Sequence, residues 1–493
     1  MTNSERRISR VRAAVAAPGE ARDDWRVATE FAQRLEQRLG RGPARGAPSL
    51  FAYETVESIW NEHRETTRGR DLDITGLDYT QLDVAPAQWP WPEGSCQGAE
   101  RLYVDGRFPT ADGRARFVDA PYAAPAEARD ARFAFALNTG RLRDQWHGMS
   151  RTGSIGRLFG HSPEPVVEMN GEDMARLCLV DGDLVAVTSR RGAIVLPAQK
   201  SAAQAPAQVF IAMHWGEEFV SGRGSGDGKD PRGGGALLAG VNALTQPAFC
   251  AQSKQPELKH AAVKVVRAEL PARVLALAWL SDERALAVRE ALRPLMADFA
   301  FASCVPFGRK RTGVLFRAAA AAPVAPGVLA AIEALLGLDG NSPGARLHYA
   351  DGRRGQHRTV RLSGSAESMR LEGFLLAGDI AAEAWIRPLL QEELPAAAYG
   401  RSLLIAGRYA PVALASRGRQ VCTCLDVSER EIVAALARAD GAAGTSDALL
   451  RLVQAELKCG TQCGSCLPEV RRLVRNAAPG AAVPQEVSAA TIP

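Results

Sequence analysis

The chain has 493 residues, of which 46% are hydrophobic and 23% charged, with a formal net charge of +5. That length exceeds one hydrophobic core and implies roughly two to four domains. The positive excess does not mark a nucleic-acid protein, because Lys supplies only 7 of the 60 basic residues and Arg is spread evenly along the sequence. No apolar run approaches the ~18 residues of a membrane span, and the start "MTNSERRISRVRAA" lacks the apolar stretch of a secretory signal. Five of the nine cysteines fall in the last 72 residues, too uneven for a disulfide framework. They read as metal ligands in a reducing compartment, so the expectation is a cytoplasmic protein without nucleic-acid or membrane partners.

In residues 1–130, "DDWRVATEFAQRLEQRLG" places Ala28, Phe31, Leu35 and Leu39 on one helical face, with Gly40 as its stop. A second amphipathic helix is expected around "YETVESIWNEH". "QWPWPEG" is a rigid loop, and "RLYVDGRFPTADGRARFVD" reads as short strands around Asp-Gly turns. The pattern is a part of something larger rather than a self-sufficient domain.

Residues 131–268 read as mostly β: "RFAFALNTG", "VVEMN", the hairpin "DGDLVAVTSRRGAIVLPA" and "AQVFIAMHW", with a helical turn at "GEDMARLCL". Many short strands between turn signals favour a barrel over a doubly wound sheet. The loop "SGRGSGDGKDPRGGG" holds too many glycines to order by itself. Residues 269–412 mix strand and helix patterns and form an α+β spacer, in which His348 and His357 read as structural. From about 418 the texture changes to three helices: one behind a capping box of Ser428 and Glu431, "SDALLRLVQAELK", and "LPEVRRLVRN" with Pro468 in its first turn. The tail from 476 to 493 reads as disordered.

The strongest chemical signal lies between those helices. Cys422 and Cys424 form C-x-C, and Cys463 and Cys466 form C-x-x-C, on two loops separated by a helix pair. Four thiolates enclosing one soft centre suit an iron–sulfur cluster; structural zinc and inert thiols are the competing readings. Gly460 and Gly464 allow backbone amides near the sulfurs, and the helix after Cys466 points its positive end at an anionic cluster. Cys459 reads as a spare, although Cys459, Cys463 and Cys466 together also spell the C-x3-C-x2-C that opens some [4Fe-4S] sets.

The segment 421–470, "VCTCLDVSEREI…CGTQCGSCLPEV", resembles the bacterioferritin-associated ferredoxin-like [2Fe-2S] domain. The resemblance implies Cys422, Cys424, Cys463 and Cys466 as the metal ligands. A second resemblance runs through "LNTGRLRDQWHGMSRTGS", "PEPVVEMNGEDMARLCLVDGDLVAVTSRRG" and "VNALTQPAFCAQSKQPELKHAAVKV". These blocks are similar to the molybdopterin guanine dinucleotide-binding domain of molybdenum oxidoreductases, which implies a double-psi β-barrel. Its cofactor contacts would be Thr139, Gly140, Arg141, Trp146, His147, Thr152, Asn242, Gln255 and Lys259. Physically, Thr139-Gly140-Arg141 supplies a hydroxyl, a close-approach backbone and a guanidinium for a diphosphate, while Asn242 and Gln255 suit base or pterin edges and Lys259 a phosphate. The sequence departs from that pattern at Gly171, at Cys178 and in "AFCAQS".

"TNSERRISRVRAAVAAPGEARDDW" and "QWPWPEG…GAERLYVDGRFPTADGRARF" resemble the closing part of the catalytic region of assimilatory nitrate reductases, a family that also carries the C-terminal [2Fe-2S] domain. The fold class expected is multi-domain α+β: a catalytic-region remnant over 1–130, a double-psi barrel over 131–268, the spacer over 269–412 and a small all-α [2Fe-2S] domain over 418–475. The family's [4Fe-4S] cysteines and molybdenum-ligating cysteine have no counterpart, since Cys96 is the first thiol and stands alone. The resemblance therefore implies a C-terminal portion, inactive by itself, of an enzyme reducing nitrate to nitrite at a molybdenum held by two pterin dinucleotides. Its electron donor would be a flavoprotein NAD(P)H-dependent reductase subunit or a ferredoxin. No catalytic residue is assigned in this chain. A stand-alone electron-transfer or cofactor-binding module that docks on a separate catalytic subunit is the rival reading.

Overall fold

The structure, a computed structural model, describes residues 1–40, 48–119, 121–221, 240–257, 259–365, 367–414, 416–438 and 445–477. Most of the glycine-rich loop expected after residue 221 and nearly all of the expected disordered tail lie outside these residues. The chain divides into two compact units, Met1–Tyr122 and Ala123–Pro493.

The first unit pairs β1 (Arg7–Ile8) with β2 (Ala87–Gln88) and carries α1 (Asp24–Arg38), α2 (Val56–Glu65) and α3 (Tyr79–Val84). Ile8, Ile74, Leu77, Leu82 and Ala87 form its small core, packed by Trp60, Trp89 and Trp91. Two expectations need correction. The helix over 24–38 forms, but Phe31, Leu35 and Leu39 on its apolar face are exposed, and its buried residues are Thr29 and Glu36. Glu36 is held by the Ser49 hydroxyl and by Leu50 N at 3.2 Å, so a hydrogen-bonded carboxylate fixes this helix where apolar packing was expected. The expected strands over 101–119 are turns, closed by Phe108 N to Gly113 O at 2.9 Å, and no neighbouring strand pairs with them among the described residues.

The second unit begins with a closed six-stranded barrel. Its strands are β3 (Phe135–Gly140), β4 (Val167–Met169), β5 (Leu184–Thr188), β6 (Ala193–Lys200), β7 (Gln208–Ala212) and, later in the chain, β9 (Ala261–Arg267), ordered β3-β7-β4-β6-β5-β9. The pairs β3–β7 and β4–β6 are parallel and the others antiparallel, as a barrel with crossed connections requires. A short helix, α4 (Gly171–Arg176), follows β4, capped by the Asn170 side chain.

The short strand β8 (Val220–Ser221) leaves the barrel for an edge of the second sheet. With β10 (Ala272–Leu280), β11 (Phe301–Phe307), β12 (Thr312–Ala320), β13 (Ala345–Asp351), β14 (Gln356–Ser363) and β15 (Arg370–Gly378), it builds the order β13-β14-β15-β10-β12-β11-β8. Strand alternation splits β10 between two cores. Leu275, Leu277 and Trp279 join the core shared with the barrel and α7 (Glu383–Gln391). Val274, Ala276 and Ala278 join the opposite core under α5 (Asp282–Leu292) and α6 (Pro326–Leu336).

The last region holds a hairpin, β16 (Gln420–Cys422) and β17 (Val427–Ser428), with α8 (Glu429–Arg438), α9 (Ser446–Leu457) and α10 (Leu467–Ala477) around one core. The hairpin is an addition to the helices that the sequence predicts. The capping box forms as expected: Ser428 N donates to Glu431 Oε2 at 2.8 Å and Glu431 N to Ser428 Oγ at 3.3 Å.

A buried ion network joins barrel to sheet. Glu164, on the loop between β3 and β4, accepts from Arg317 Nε at 2.6 Å and Arg387 Nη1 at 2.6 Å, and both guanidiniums also meet Glu383. Burial opposes ionisation of Glu164, but the two guanidiniums outweigh it and hold the pKa at about 2. Removing one partner strands buried charge, so Glu164→Ala should destabilise the second unit by about 3–5 kcal/mol. Because the folded pKa is depressed, the stabilisation is complete above the ordinary value of 4.5 and is lost as pH falls toward about 2. An acid titration followed by tryptophan fluorescence should lose stability through that window in the native chain, and Glu164→Gln should flatten it.

Candidate functional site

Two sites can be built from the second unit. The first begins with β16, which ends on Cys422, and the tight hairpin that brings Cys424 back beside it. Cys422 Sγ and Cys424 Sγ lie 3.6 Å apart. The loop between α9 and α10 delivers the other pair: Cys463 Sγ is 3.9 Å from Cys424 Sγ, and the Cys466 thiol is in hydrogen-bond contact with Cys422. The four thiols thus form one contiguous group, with Cys422 and Cys466 buried and Cys424 and Cys463 exposed.

The loop reaches this shape through Gly460 (φ 79°) and Gly464 (φ 73°), left-handed conformations that a side chain would strain. Burial raises the pKa of Cys424 to about 11 and of Cys466 to about 12, helped in each case by the neighbouring thiols. Hydrogen bonds from Ser465 lower that of Cys463. Ligation requires thiolates, so filling this site must release protons. The donor set, soft sulfurs converging at an open rim, fits an iron–sulfur centre. Cys459 is fully buried in the core of this domain beside Val421, Val453 and Val470, and burial lifts its pKa to about 11.

The hairpin is gripped from outside its own domain. The Thr423 hydroxyl, between the two thiols, donates to Asp144 Oδ2 at 2.7 Å and accepts from Arg143 Nη2 at 3.2 Å. Arg309, just beyond β11, donates to Thr423 O at 2.6 Å and to Cys424 O at 3.2 Å. A side chain at Gly160 would collide with the Gln420 amide, and His161 Nε2 lies 3.7 Å from Glu469 in the first turn of α10. None of these contacts carries a motif, so sequence reading missed them all.

The second site lies at the ends of the parallel pair β3 and β7, where Gly140 is level with Ala212 and Met213 N donates to Gly140 O at 2.9 Å. Thr139 is buried and Arg141 exposed. Lys259 Nζ lies 4.0 Å from where a β-carbon on Gly140 would stand, so the cation meets the strand end although 119 positions separate them in the sequence. Trp146, His147 and Thr152 follow on one loop: Trp146 N donates to Thr152 Oγ1 at 3.2 Å, and the Trp146 and His147 rings stack edge-on at 4.8 Å. Asn242 is exposed on a 3-10 turn whose first residue, Val241, donates to Trp215 O at 3.4 Å. Gln255 lies on an exposed turn, four residues ahead of Lys259.

His214, which no motif marks, follows β7 at this end of the barrel. It is 1% exposed. Burial lowers its pKa, a hydrogen bond with the His147 backbone opposes that shift, and the Arg141 guanidinium acts with burial. A buried imidazole near the Arg141 guanidinium, at the strand end that Lys259 also reaches, fits a site that takes an anionic, hydrogen-bonding ligand.

His348 and His357 also meet. They and Glu333 offer ligand atoms within 4.8 Å of one another. The Glu333 carboxylate is already engaged by His357 Nε2 at 2.7 Å and Arg346 Nη2 at 3.3 Å, so the group closes as a hydrogen-bonded network around a charge-balanced carboxylate.

Comparison with known proteins agrees with this division. Residues 135–262 match the molydopterin dinucleotide binding domain family, and residues 420–476 the BFD-like [2Fe-2S] binding domain family. The chain is 31% identical over 494 residues to the nitrate reductase of Klebsiella oxytoca, covering 96% of this chain and 48% of that protein. It is 35% identical over 270 residues to the nitrate reductase of Synechocystis sp., covering 54% of this chain and 34% of the relative. An F420-dependent formate dehydrogenase subunit alpha of Methanocaldococcus jannaschii is 32% identical over 266 residues, with the same coverage of 54% and 34%. The chain thus spans about half the length of the Klebsiella protein. It carries a molybdopterin dinucleotide-binding domain and a BFD-like [2Fe-2S]-binding domain, and is homologous to nitrate reductases over most of its length.

The thiol geometry makes a sharp prediction. Ser at Cys422, Cys424, Cys463 or Cys466 should abolish the visible chromophore of anaerobically purified protein, while Cys459→Ser should keep it and lose about 1–3 kcal/mol of stability for a buried hydroxyl. Iron and sulfide analysis of the five variants checks this, and a Cys459→Ser protein without iron would reassign the ligands.

Proposed function

We propose that this chain is the dinucleotide-holding and electron-relaying portion of an assimilatory, cytoplasmic nitrate reductase. The observation that carries the reading is the pairing of the two sites: a four-thiol group is hydrogen-bonded, through Thr423 and Asp144, to the loop that leaves the Thr139-Gly140-Arg141 strand end. Homology to the Klebsiella nitrate reductase across 96% of the chain supports nitrate as the substrate of the whole enzyme. No helix among the described residues is long and apolar enough to cross a membrane.

In this reading Cys422, Cys424, Cys463 and Cys466 hold the [2Fe-2S] cluster, and Gly140, Arg141, His214 and Lys259 hold the diphosphate of molybdopterin guanine dinucleotide. Trp146, His147, Thr152, Asn242 and Gln255 line the remainder of that ligand, with Thr139 at the strand end. A buried diphosphate needs cationic and hydrogen-bonding groups aimed at it, or its desolvation is uncompensated. The bound molybdenum cofactor supplies the two-electron chemistry that takes nitrate to nitrite. This chain's own residues orient the dinucleotide and bring single electrons from a flavoprotein or ferredoxin donor.

Three experiments test the reading. Deleting the coding gene should abolish growth on nitrate as sole nitrogen source and spare growth on nitrite or ammonium; undiminished growth on nitrate would contradict it. The pure 493-residue chain should not oxidise reduced methyl viologen with nitrate, because no residue in it is assigned to ligate molybdenum. Turnover by the pure chain would show that the activity needs nothing further. In the complete enzyme, Arg141→Ala should lower molybdenum occupancy several-fold and leave the iron content unchanged.

A further inference from the structure

The hairpin that presents Cys422 and Cys424 is held by charged side chains from two other parts of the fold. Arg309 belongs to the sheet region, for which neither sequence nor homology gives a role. It directs both terminal nitrogens at the backbone of the thiol loop, at 2.6 Å to Thr423 O and 3.2 Å to Cys424 O. Its counter-charge, Asp426, is farther away at 3.7 Å. On the barrel side, Asp144 and Arg143 form an ion pair at 3.0 Å, mostly shielded from solvent, and both engage the Thr423 hydroxyl.

We infer that Arg309 and Asp144 are potential-setting residues for the [2Fe-2S] centre, the guanidinium raising its reduction potential and the carboxylate lowering it. This rests on the reading that Cys422, Cys424, Cys463 and Cys466 hold that centre. Reduction adds one electron, and so one negative charge, to the cluster, with no bond made or broken. A cation fixed beside the ligand loop therefore favours the reduced form, and an anion the oxidised form. Both groups are anchored by hydrogen bonds to the loop, which holds each charge at a fixed distance from the thiols. Arg309 contributes further because hydrogen bonds withdraw electron density from the Thr423 and Cys424 carbonyls and turn the local dipoles toward a more positive loop.

The consequence concerns the sheet region as well as the cluster. The cluster domain is docked by charged groups from the barrel and the sheet together, so its potential depends on an intact three-way junction. The region between 269 and 412 acts as an electrostatic partner of the relay in addition to being a spacer.

The test is a redox titration of anaerobically purified full-length protein with dithionite, followed by electron paramagnetic resonance. Iron and sulfide are assayed first, and a native chain without a [2Fe-2S] centre would overturn the functional reading itself. Given that centre, Arg309→Gln should keep its iron, sulfide and visible spectrum. At the native midpoint its ratio of reduced to oxidised cluster should fall about tenfold, a downward shift of about 59 mV for one electron. Arg309→Lys, which keeps the charge, should retain most of the native value. Asp144→Asn, which keeps a hydrogen-bond acceptor for Thr423, should move the midpoint in the opposite direction. Loaded Arg309→Gln and Asp144→Asn proteins with unchanged midpoints would overturn the inference, as would shifts of the same sign. If Arg309→Gln fails to fold, the upward shift of Asp144→Asn decides the matter alone.

Discussion

The arrangement of the second unit depends on the loop from Arg141 to Pro165, and that loop depends on burying the Glu164 carboxylate between Arg317 and Arg387. A lone buried carboxylate would cost several kcal/mol, so the loop is stable only where both guanidiniums are in place. Arg317 stands on the interior strand β12 and Arg387 on α7, which ties the loop to the sheet. The same loop begins at the barrel strand end and carries Arg143, Asp144, Gly160 and His161 against the cluster domain. One segment therefore fixes three neighbours relative to each other.

That constraint explains why the thiol group and the β3–β7 strand end, far apart in sequence, share a junction. The ends of β3 and β7 present Gly140, Arg141 and His214 with Lys259, and the next turn of chain reaches Thr423 between two thiols. Under the proposed function, the relay gains from a constant distance to its next centre. Ion pairs and hydrogen bonds that are shielded from water supply that rigidity better than exposed pairs, which contribute little. The cost is sensitivity to acid, because Glu164 and Glu469 both owe their ionisation to neighbouring arginines, which hold each pKa at about 2 against burial.

Much of this was legible in the sequence, for identifiable physical reasons. Thiol spacing is local, so Cys422, Cys424, Cys463 and Cys466 stood out, and the Ser428–Glu431 box announced the start of its helix. Strand alternation in "LVAVT" and "AIVLPA" gave the hairpin β5–β6. What stayed hidden depends on long-range pairing. Arg309, Arg317 and Arg387 are three among many arginines, and nothing in their neighbours marks them as buried or as reaching another domain. His214 was missed because the burial of an imidazole is a property of its surroundings, which no spacing rule encodes. The helix over 24–38 misled in the opposite way: its period is helical, but Phe31 and Leu35 stay exposed on that unit and Glu36 is the buried anchor.

The central claim is that four thiols at this junction hold a two-iron cluster. Mössbauer spectroscopy of the full chain, produced with iron-57 and kept anaerobic, tests it most directly. The oxidised protein should show a diamagnetic spectrum of two tetrahedral, sulfur-ligated ferric sites, and one-electron reduction should convert one of them to ferrous. A spectrum of isolated mononuclear iron, a delocalised four-iron cluster, or a colourless protein saturated with zinc would contradict the account.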